Sequence, residues 1–312
     1  MQTGTSTIDY GPKNPHDVGA ILRDLMQRTT LEIHKRRTGF VGQHKPHPDK
    51  LDDRVTDADF ASQAIFVKKL TESFPDYGIV AEEKGFMRPC TLQGRKLFFT
   101  VDPLDGTKAF ERKQSHGFGP MLSLSTDEEV VAAFVGEAMT RELYYYRPES
   151  SKVHRLNLID YQHELLSIDA KRPLSDQHVL LRDNPLDLPV GYAQVAQSAK
   201  HHGLFKNIEI AGGGIGSGMA RLWKGEVGGY IVKAGMYQPW DLLPIWGISD
   251  KLGFVWMAFN GSPKSWEVKD KLKPSMEPVE FDTPNIIIHQ SRVDEFINDA
   301  NDIIRLRILG VC

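Results

Sequence analysis

The sequence predicts a mixed α/β (α+β) protein, and three observations carry that prediction. Short apolar, β-branched runs such as residues 98–101 end abruptly at acids and turn-forming residues, as buried strands do. Between Met121 and Tyr146, apolar runs alternate with turns in the manner of an antiparallel meander. Apolar residues also recur at helical spacing near both ends of the chain. Val18, Ile21, Leu22, Leu25 and Met26 form one such set, and Val293, Phe296, Ile297, Ala300, Ile303 and Ile304 form another. With 312 residues the chain can build a large core as one domain or two lobes. The expected division is 1–150 and 151–312.

Composition excludes several classes. Hydrophobic residues make up 40% of the chain and charged residues 25%, an ordinary globular balance. A formal net charge of -3 argues against a nucleic-acid partner. No apolar run approaches the roughly 20 residues that span a bilayer, so no membrane is expected. The first 17 residues are polar and lack an apolar signal core. Cys90 and Cys312 are the only two cysteines and stand far apart, so a reducing, cytoplasmic setting is expected.

In chain order, Asn14-Pro15 starts a helix that runs to about Lys35. Residues 36–53 form a polar loop whose length suggests a functional flap, and its His44, His47 and Asp49 read as part of a solvated basic loop in preference to a zinc site. Val55-Thr56-Asp57-Ala58-Asp59 opens a second helix that Thr56 or Asp57 caps. Its expected buried face is Ala61, Ala64, Ile65, Val67, Leu70 and Phe74, and Pro75 ends it. Residues 78–81 are a short strand followed by Glu82-Glu83. Residues 98–101 are the next strand, and Pro103 is expected to stop it because proline has no backbone donor. Residues 147–207 carry little pattern beyond a brief strand at 179–181. A glycine-rich run at 211–218 enters a helix, either as a tight turn or as an anion cradle. Residues 229–233 form a strand. An apolar helix then begins near Pro239 with Asp241 in its first turn. Strands at 254–258 and 285–289 and a closing helix complete the chain.

The acids carry the chemistry. Asp102 and Asp105 lie three positions apart at a strand end, flanking Pro103 and followed by Gly106-Thr107. Two carboxylates held that close repel unless a cation neutralises them or one is protonated. Hard oxygen ligands suit Mg²⁺. A simple Asp-Pro-Gly turn remains open on these residues alone. Taken singly, Asp57 and Asp59 read as helix capping, Glu82-Glu83 as a surface turn, and Asp241 as a charge on a helix dipole. Asp241, however, is set among Trp240, Leu242 and Leu243, where an unpaired carboxylate is costly.

Together the pieces resemble the inositol monophosphatase superfamily. V-T-D-A-D ends at Asp59, Glu82-Glu83 follows a strand, D-P-L-D-G-T spans 102–107 and W-D-L-L-P spans 240–244. The resemblance covers about residues 15–305. It implies a layered α-β-α-β-α sandwich and an Mg²⁺-dependent, lithium-sensitive phosphatase. It assigns Glu82, Asp102, Asp105, Asp241 and the Leu104 carbonyl to two or three Mg²⁺ ions, with Asp59 on the loosest. It implies that Glu82, or Asp59 with Thr107, orients and deprotonates the attacking water. Gly106 and Thr107 would meet the phosphate, and Lys108 would be a further substrate contact. The implied substrate is a small phosphate ester: 3′-phosphoadenosine 5′-phosphate, inositol monophosphate or histidinol phosphate. Lys108 is closer to the nucleotidase and histidinol-phosphatase branches. Members are often homodimers. Two positions depart from the pattern. Arg54 precedes Val55 where the preceding loop usually carries serine, and Gly228 replaces an aspartate. The rival D-x-D-G-T aspartyl-phosphate chemistry is disfavoured because Pro103 occupies its nucleophile position. A non-catalytic phospholigand-binding relative is the alternative reading.

Overall fold

The computed structural model describes residues 8–44, 54–94, 96–182, 184–196, 203–259 and 266–308. The first part of the chain forms α1 (Pro15–Arg36), β1 (Gly42–His44), β2 (Arg54–Thr56), α2 (Asp57–Ser73), β3 (Gly78–Ala81) and β4 (Phe86–Arg88). It continues through β5 (Phe98–Asp105), α3 (Thr107–Glu111), β6 (Gly119–Ser125), β7 (Val130–Glu137), β8 (Glu142–Tyr146), β9 (His154–Asn157) and β10 (His163–Leu165). The remainder forms β11 (His178–Leu181), α4 (Val190–Ala196), β12 (Asn207–Ile210), α5 (Ile215–Trp223), β13 (Gly229–Val232), β14 (Gly235–Tyr237) and α6 (Pro239–Lys251). It ends with β15 (Phe254–Phe259), β16 (Trp266–Val268), β17 (Val279–Phe281), β18 (Asn285–His289) and α7 (Val293–Ile308).

Most strands belong to two sheets. An eight-stranded sheet has the order β10-β9-β8-β7-β6-β5-β3-β4, and a six-stranded sheet has the order β12-β11-β13-β18-β15-β16. The first sheet therefore continues to Leu165, past the division expected at residue 150. Apolar alternation shows how the layers stack. Leu122 and Leu124 face α1 and α2 with Phe66 and Leu70, while Met121 faces the other way. That inner face packs on α5 and α6 through Met219, Trp223, Leu242 and Ile245. The second sheet covers the far side of the same helices with Tyr230, Val232 and Ile287. Its outer face, with Ile231, Ile286 and Ile288, is closed by α4 and α7. The run Ile286-Ile287-Ile288 is apolar throughout because both faces of its sheet are covered. The result is the expected α-β-α-β-α sandwich.

Local chemistry sets the ends. The Asn14 side chain accepts from Asp17 N, with Pro15 in the first turn of α1. Thr56 caps α2 in a capping box with Asp59. One expectation changes: Pro103 does not end β5. The strand runs on to Asp105, and the pairing with β6 shifts register between Asp102 and Asp105. The proline sits in that irregularity, where no ladder donor is required. His44 lies in β1, while His47, Asp49 and Cys312 fall outside the described residues. No helix among the described residues is long and apolar enough to cross a membrane.

The middle helical layer supports both sheets, and Trp223 ties it together by donating from Nε1 to Ser249 Oγ at 3.0 Å. Trp223 is fully buried. Truncating a buried tryptophan costs about 3–5 kcal/mol. Trp223→Ala is therefore expected to lower stability by that amount in urea unfolding, and a loss below about 1 kcal/mol would contradict this packing.

Candidate active site

Three chain passes meet where β5 ends. Gly106 has φ +85°, and a Cβ there would lie 2.2 Å from Gly117 O and 2.8 Å from Gly214 N. Only glycine allows that approach. The expected glycine-rich run at 211–218 thus serves as a close-contact loop leading into α5. A cavity of about 890 Å³ opens beside it. Its wall includes Glu82, Asp102, Leu104, Asp105, Gly106, Thr107, Lys108 and Asp241, which were expected together from sequence.

Each acid has a positioning device. Glu82 follows β3, and its amide donates to Val101 O at 3.1 Å. Gln63 on α2 clamps the next residue: its amide nitrogen donates to Glu83 O at 2.7 Å, and Glu83 N donates to its oxygen at 2.8 Å. Asp102 accepts from Leu104 N at 2.9 Å across the proline. Asp105 accepts from the amides of Ile215 (3.1 Å) and Gly216 (2.7 Å), which tie β5 to α5. Asp241 enters from the first turn of α6.

Asp59 stands elsewhere. It is fully buried and is not part of the cavity wall. Its Oδ2 accepts from Thr56 N (2.7 Å) and Thr56 Oγ1 (2.6 Å). Its Oδ1 accepts from Thr107 Oγ1 at 3.1 Å, and the same hydroxyl lies 3.2 Å from Leu104 O. The structure places Asp59 behind the wall, connected to the cavity through Thr107.

The electrostatics follow from burial and crowding. Burial holds Asp102 well above the usual carboxylate range, and repulsion from Glu82, Asp105 and Asp241 adds to it. Burial pushes Asp105 up to about 6, opposed by the Arg182 guanidinium and by the Gly216 and Ile215 amides. The wall acids supply oxygen donors only, a set that suits a hard divalent cation. Among the described residues, no three His, Cys, Asp or Glu side chains converge tightly enough to hold an ion by themselves. Mg²⁺ does not require that, because it binds through one or two carboxylates and keeps waters or phosphate oxygens as its other ligands.

Sequence reasoning missed several residues here. Arg182 and Asn184 line the cavity from the stretch without pattern, and Arg112 and Lys233 line it as well. Arg54, noted only as a departure, also reaches the wall and forks onto Glu111 at 2.7 and 2.9 Å. Gln63 and Glu137 support from behind. Glu137 accepts from Ser217 Oγ and from Gly117 N. None of these carried a local motif. They are brought to the site by sheet order and by the layer between the sheets.

Solved inositol monophosphatases share this architecture. The Thermotoga maritima IMPase superposes with a TM-score of 0.65 at 19% identity, covering 92% of this chain and 96% of that one. An IMPase/NADP phosphatase complexed with Mg²⁺ and phosphate gives 0.65 at 17%, covering 92% and 96%. Likeness at such identities shows the fold alone. The model of the inositol monophosphatase family matches residues 14–280, and the chain belongs to that family. Among curated relatives, the Nus factor SuhB of Escherichia coli K12 is 30% identical over 128 residues, 38% of this chain and 46% of that protein. The 3′(2′),5′-bisphosphate nucleotidase CysQ of Aggregatibacter actinomycetemcomitans is 28% identical over 148 residues, 47% of this chain and 49% of that protein. The chain spans half or less of the length of these two relatives.

The raised acids give a pH signature. Between about pH 4 and 6 an unfolded aspartate has ionised, whereas the folded Asp105 still holds its proton. The folded state then binds more protons, so this group's contribution to stability falls as pH rises through that window. In chelator-treated protein, the drop in Tm between pH 4.5 and 7 is expected to be larger in the wild type than in Asp105→Asn. Parallel Tm profiles would contradict the assignment.

Proposed function

We propose that the chain is a phosphate monoester hydrolase that uses two or three Mg²⁺ ions and acts on a small phosphorylated metabolite. One observation carries this reading. Thr107 lines the same cavity as Glu82, Asp102, Asp105 and Asp241, and its hydroxyl donates to the buried Asp59 carboxylate at 3.1 Å. Glu82, Asp102, Asp105, Asp241 and the Leu104 carbonyl would hold the metal. When bound, such ions offset the carboxylate charge, lower the pKa of a water and stabilise the leaving oxygen.

The chain's own groups do the rest. Asp59 accepts a hydrogen bond from the Thr107 hydroxyl, which leaves the lone pairs of the Thr107 oxygen to accept from a water in the cavity. A water there is oriented by giving a hydrogen bond to Thr107, and Glu82 on the same wall takes its proton. Attack is direct, since Pro103 stands where a covalent mechanism would need its nucleophile. The Gly106-Thr107 turn receives the phosphate, with Lys108 beside it. Candidate substrates are 3′-phosphoadenosine 5′-phosphate, inositol monophosphate and histidinol phosphate, all small enough for the cavity.

Phosphate release with Mg²⁺ tests the reading. Asp102→Asn is expected to abolish turnover with the fold intact by circular dichroism. Thr107→Ala is expected to lower kcat by about 100-fold or more. Full activity in a folded Asp102→Asn variant would overturn it. A folded wild type that binds Mg²⁺ yet releases phosphate from no ester would favour a phospholigand-binding protein instead.

A further inference from the structure

Glu137 is buried behind the acidic wall and takes no part in lining the cavity. It closes β7, beside the start of β6, where Ala138 N donates to Phe118 O at 3.0 Å. The next residue of that strand, Gly119, lies opposite Asp105 in the ladder. Burying a carboxylate at such a place is costly unless donors surround it. Three donors do. Oε2 accepts from Gly117 N at 3.3 Å and from the Ser217 hydroxyl, and Oε1 accepts from Met139 N at 3.2 Å. Burial raises the Glu137 pKa, while Ser217, the Met139 and Gly117 amides and the nearby His116 oppose that shift.

The two partners of Oε2 belong to different chain passes. Gly117 lies in the connection before β6, and Ser217 lies in the first turn of α5. Gly117 has φ +97°, and its carbonyl accepts from Gly214 N at 2.8 Å, immediately before α5. The next two amides, of Ile215 and Gly216, donate to Asp105 Oδ1 and Oδ2. One carboxylate therefore grips the start of α5 twice, directly through Ser217 and indirectly through Gly117. Each Asp105 oxygen keeps only part of its acceptor capacity for a cation, and the position of the two amides decides where that part points. The joint leaves little slack: a Cβ at Gly214 would lie 2.2 Å from Asp105 Oδ2, and one at Gly213 would lie 2.7 Å from Gly117 O. Groups that orient a metal-ligating side chain in this way typically change metal affinity by about 10–100-fold when removed.

We propose that Glu137 is a positioning residue for the metal site: by holding Gly117 and Ser217 together it fixes the two amides that aim Asp105, and so sets the affinity for Mg²⁺. This rests on the proposed hydrolase's use of Mg²⁺ at Asp105. Glu137 itself touches neither the cavity nor the reacting groups.

The test measures Mg²⁺ binding by calorimetry in the wild type, Glu137→Ala, Glu137→Gln, Ser217→Ala and Phe296→Leu. Phe296 is buried on α7 in the outer core, so its variant reports loss of packing alone. Glu137→Ala is expected to raise the Kd for Mg²⁺ by about tenfold or more. Glu137→Gln keeps an oxygen for Gly117 and Ser217 and gives up only the Met139 bond, so its Kd is expected to stay near the wild-type value. Phe296→Leu is expected to leave Kd unchanged. Where Glu137→Ala does not fold, Ser217→Ala carries the same comparison. An unchanged Kd in the folded variant, or an equal rise in Glu137→Gln or Phe296→Leu, would overturn the assignment. A folded wild type that binds no Mg²⁺ would mean that the hydrolase reading fails. The positioning role is then read in the metal-free protein by hydrogen exchange of the Ile215 and Gly216 amides. Faster exchange in Glu137→Ala and Ser217→Ala, but not in Phe296→Leu, supports it, and equal rates in all of them overturn it.

Discussion

Repulsion among four carboxylates is the constraint around which this molecule is arranged. Glu82, Asp102, Asp105 and Asp241 come from the end of β3, from β5 and from α6, and all border one cavity. Such a set is unfavourable when ionised, and burial, with repulsion from the neighbouring acids adding to it, holds Asp102 and Asp105 above the usual carboxylate range. A fold keeps such a set only where surrounding structure holds each side chain in place. Here the support comes from backbone. Asp102 is held by the Leu104 amide, and Asp105 is held by two amides at the start of α5.

Those contacts have a second consequence. The Asp105 fork joins the first sheet to the helical layer that also carries the second sheet, so the site and the sandwich share a joint. Close approach at Gly106, Gly117 and Gly214 makes that joint possible, because any side chain at Gly214 would run into the Asp105 carboxylate. Glu137 reinforces it from behind through Ser217 and Gly117. The geometry of the acidic wall and the packing between the sheets are therefore one problem in this chain. Asp59 shows the same economy: it closes the capping box of α2 and holds Thr107 with its other oxygen.

Most of the acidic wall was readable in the sequence because its residues sit in short local motifs at strand ends. D-P-L-D-G-T and W-D-L-L-P are contiguous, and their neighbours have clear periodicity. Strands 78–81, 142–146 and 285–289 were likewise placed at their observed limits. The basic side of the cavity was not readable. Arg182 and Lys233 reach the cavity only because β11 and β13 lie side by side in parallel, a pairing between residues about fifty positions apart. Periodicity reports which face a residue takes, and it carries no information about such neighbours. The expectation that Pro103 ends its strand failed for a related reason. The rule assumes a regular ladder, and the register shift beside Pro103 removes the need for a donor.

On the proposed function, a divalent cation relieves the crowding of these acids. The most direct measurement is a calorimetric Mg²⁺ titration near pH 6, repeated in buffers of different ionisation enthalpy. Because burial pushes Asp105 up to about 6, Mg²⁺ binding is expected to release protons, and the observed heat is expected to vary with the buffer. Binding with no buffer dependence, or no binding at all to the folded protein, would contradict the claim.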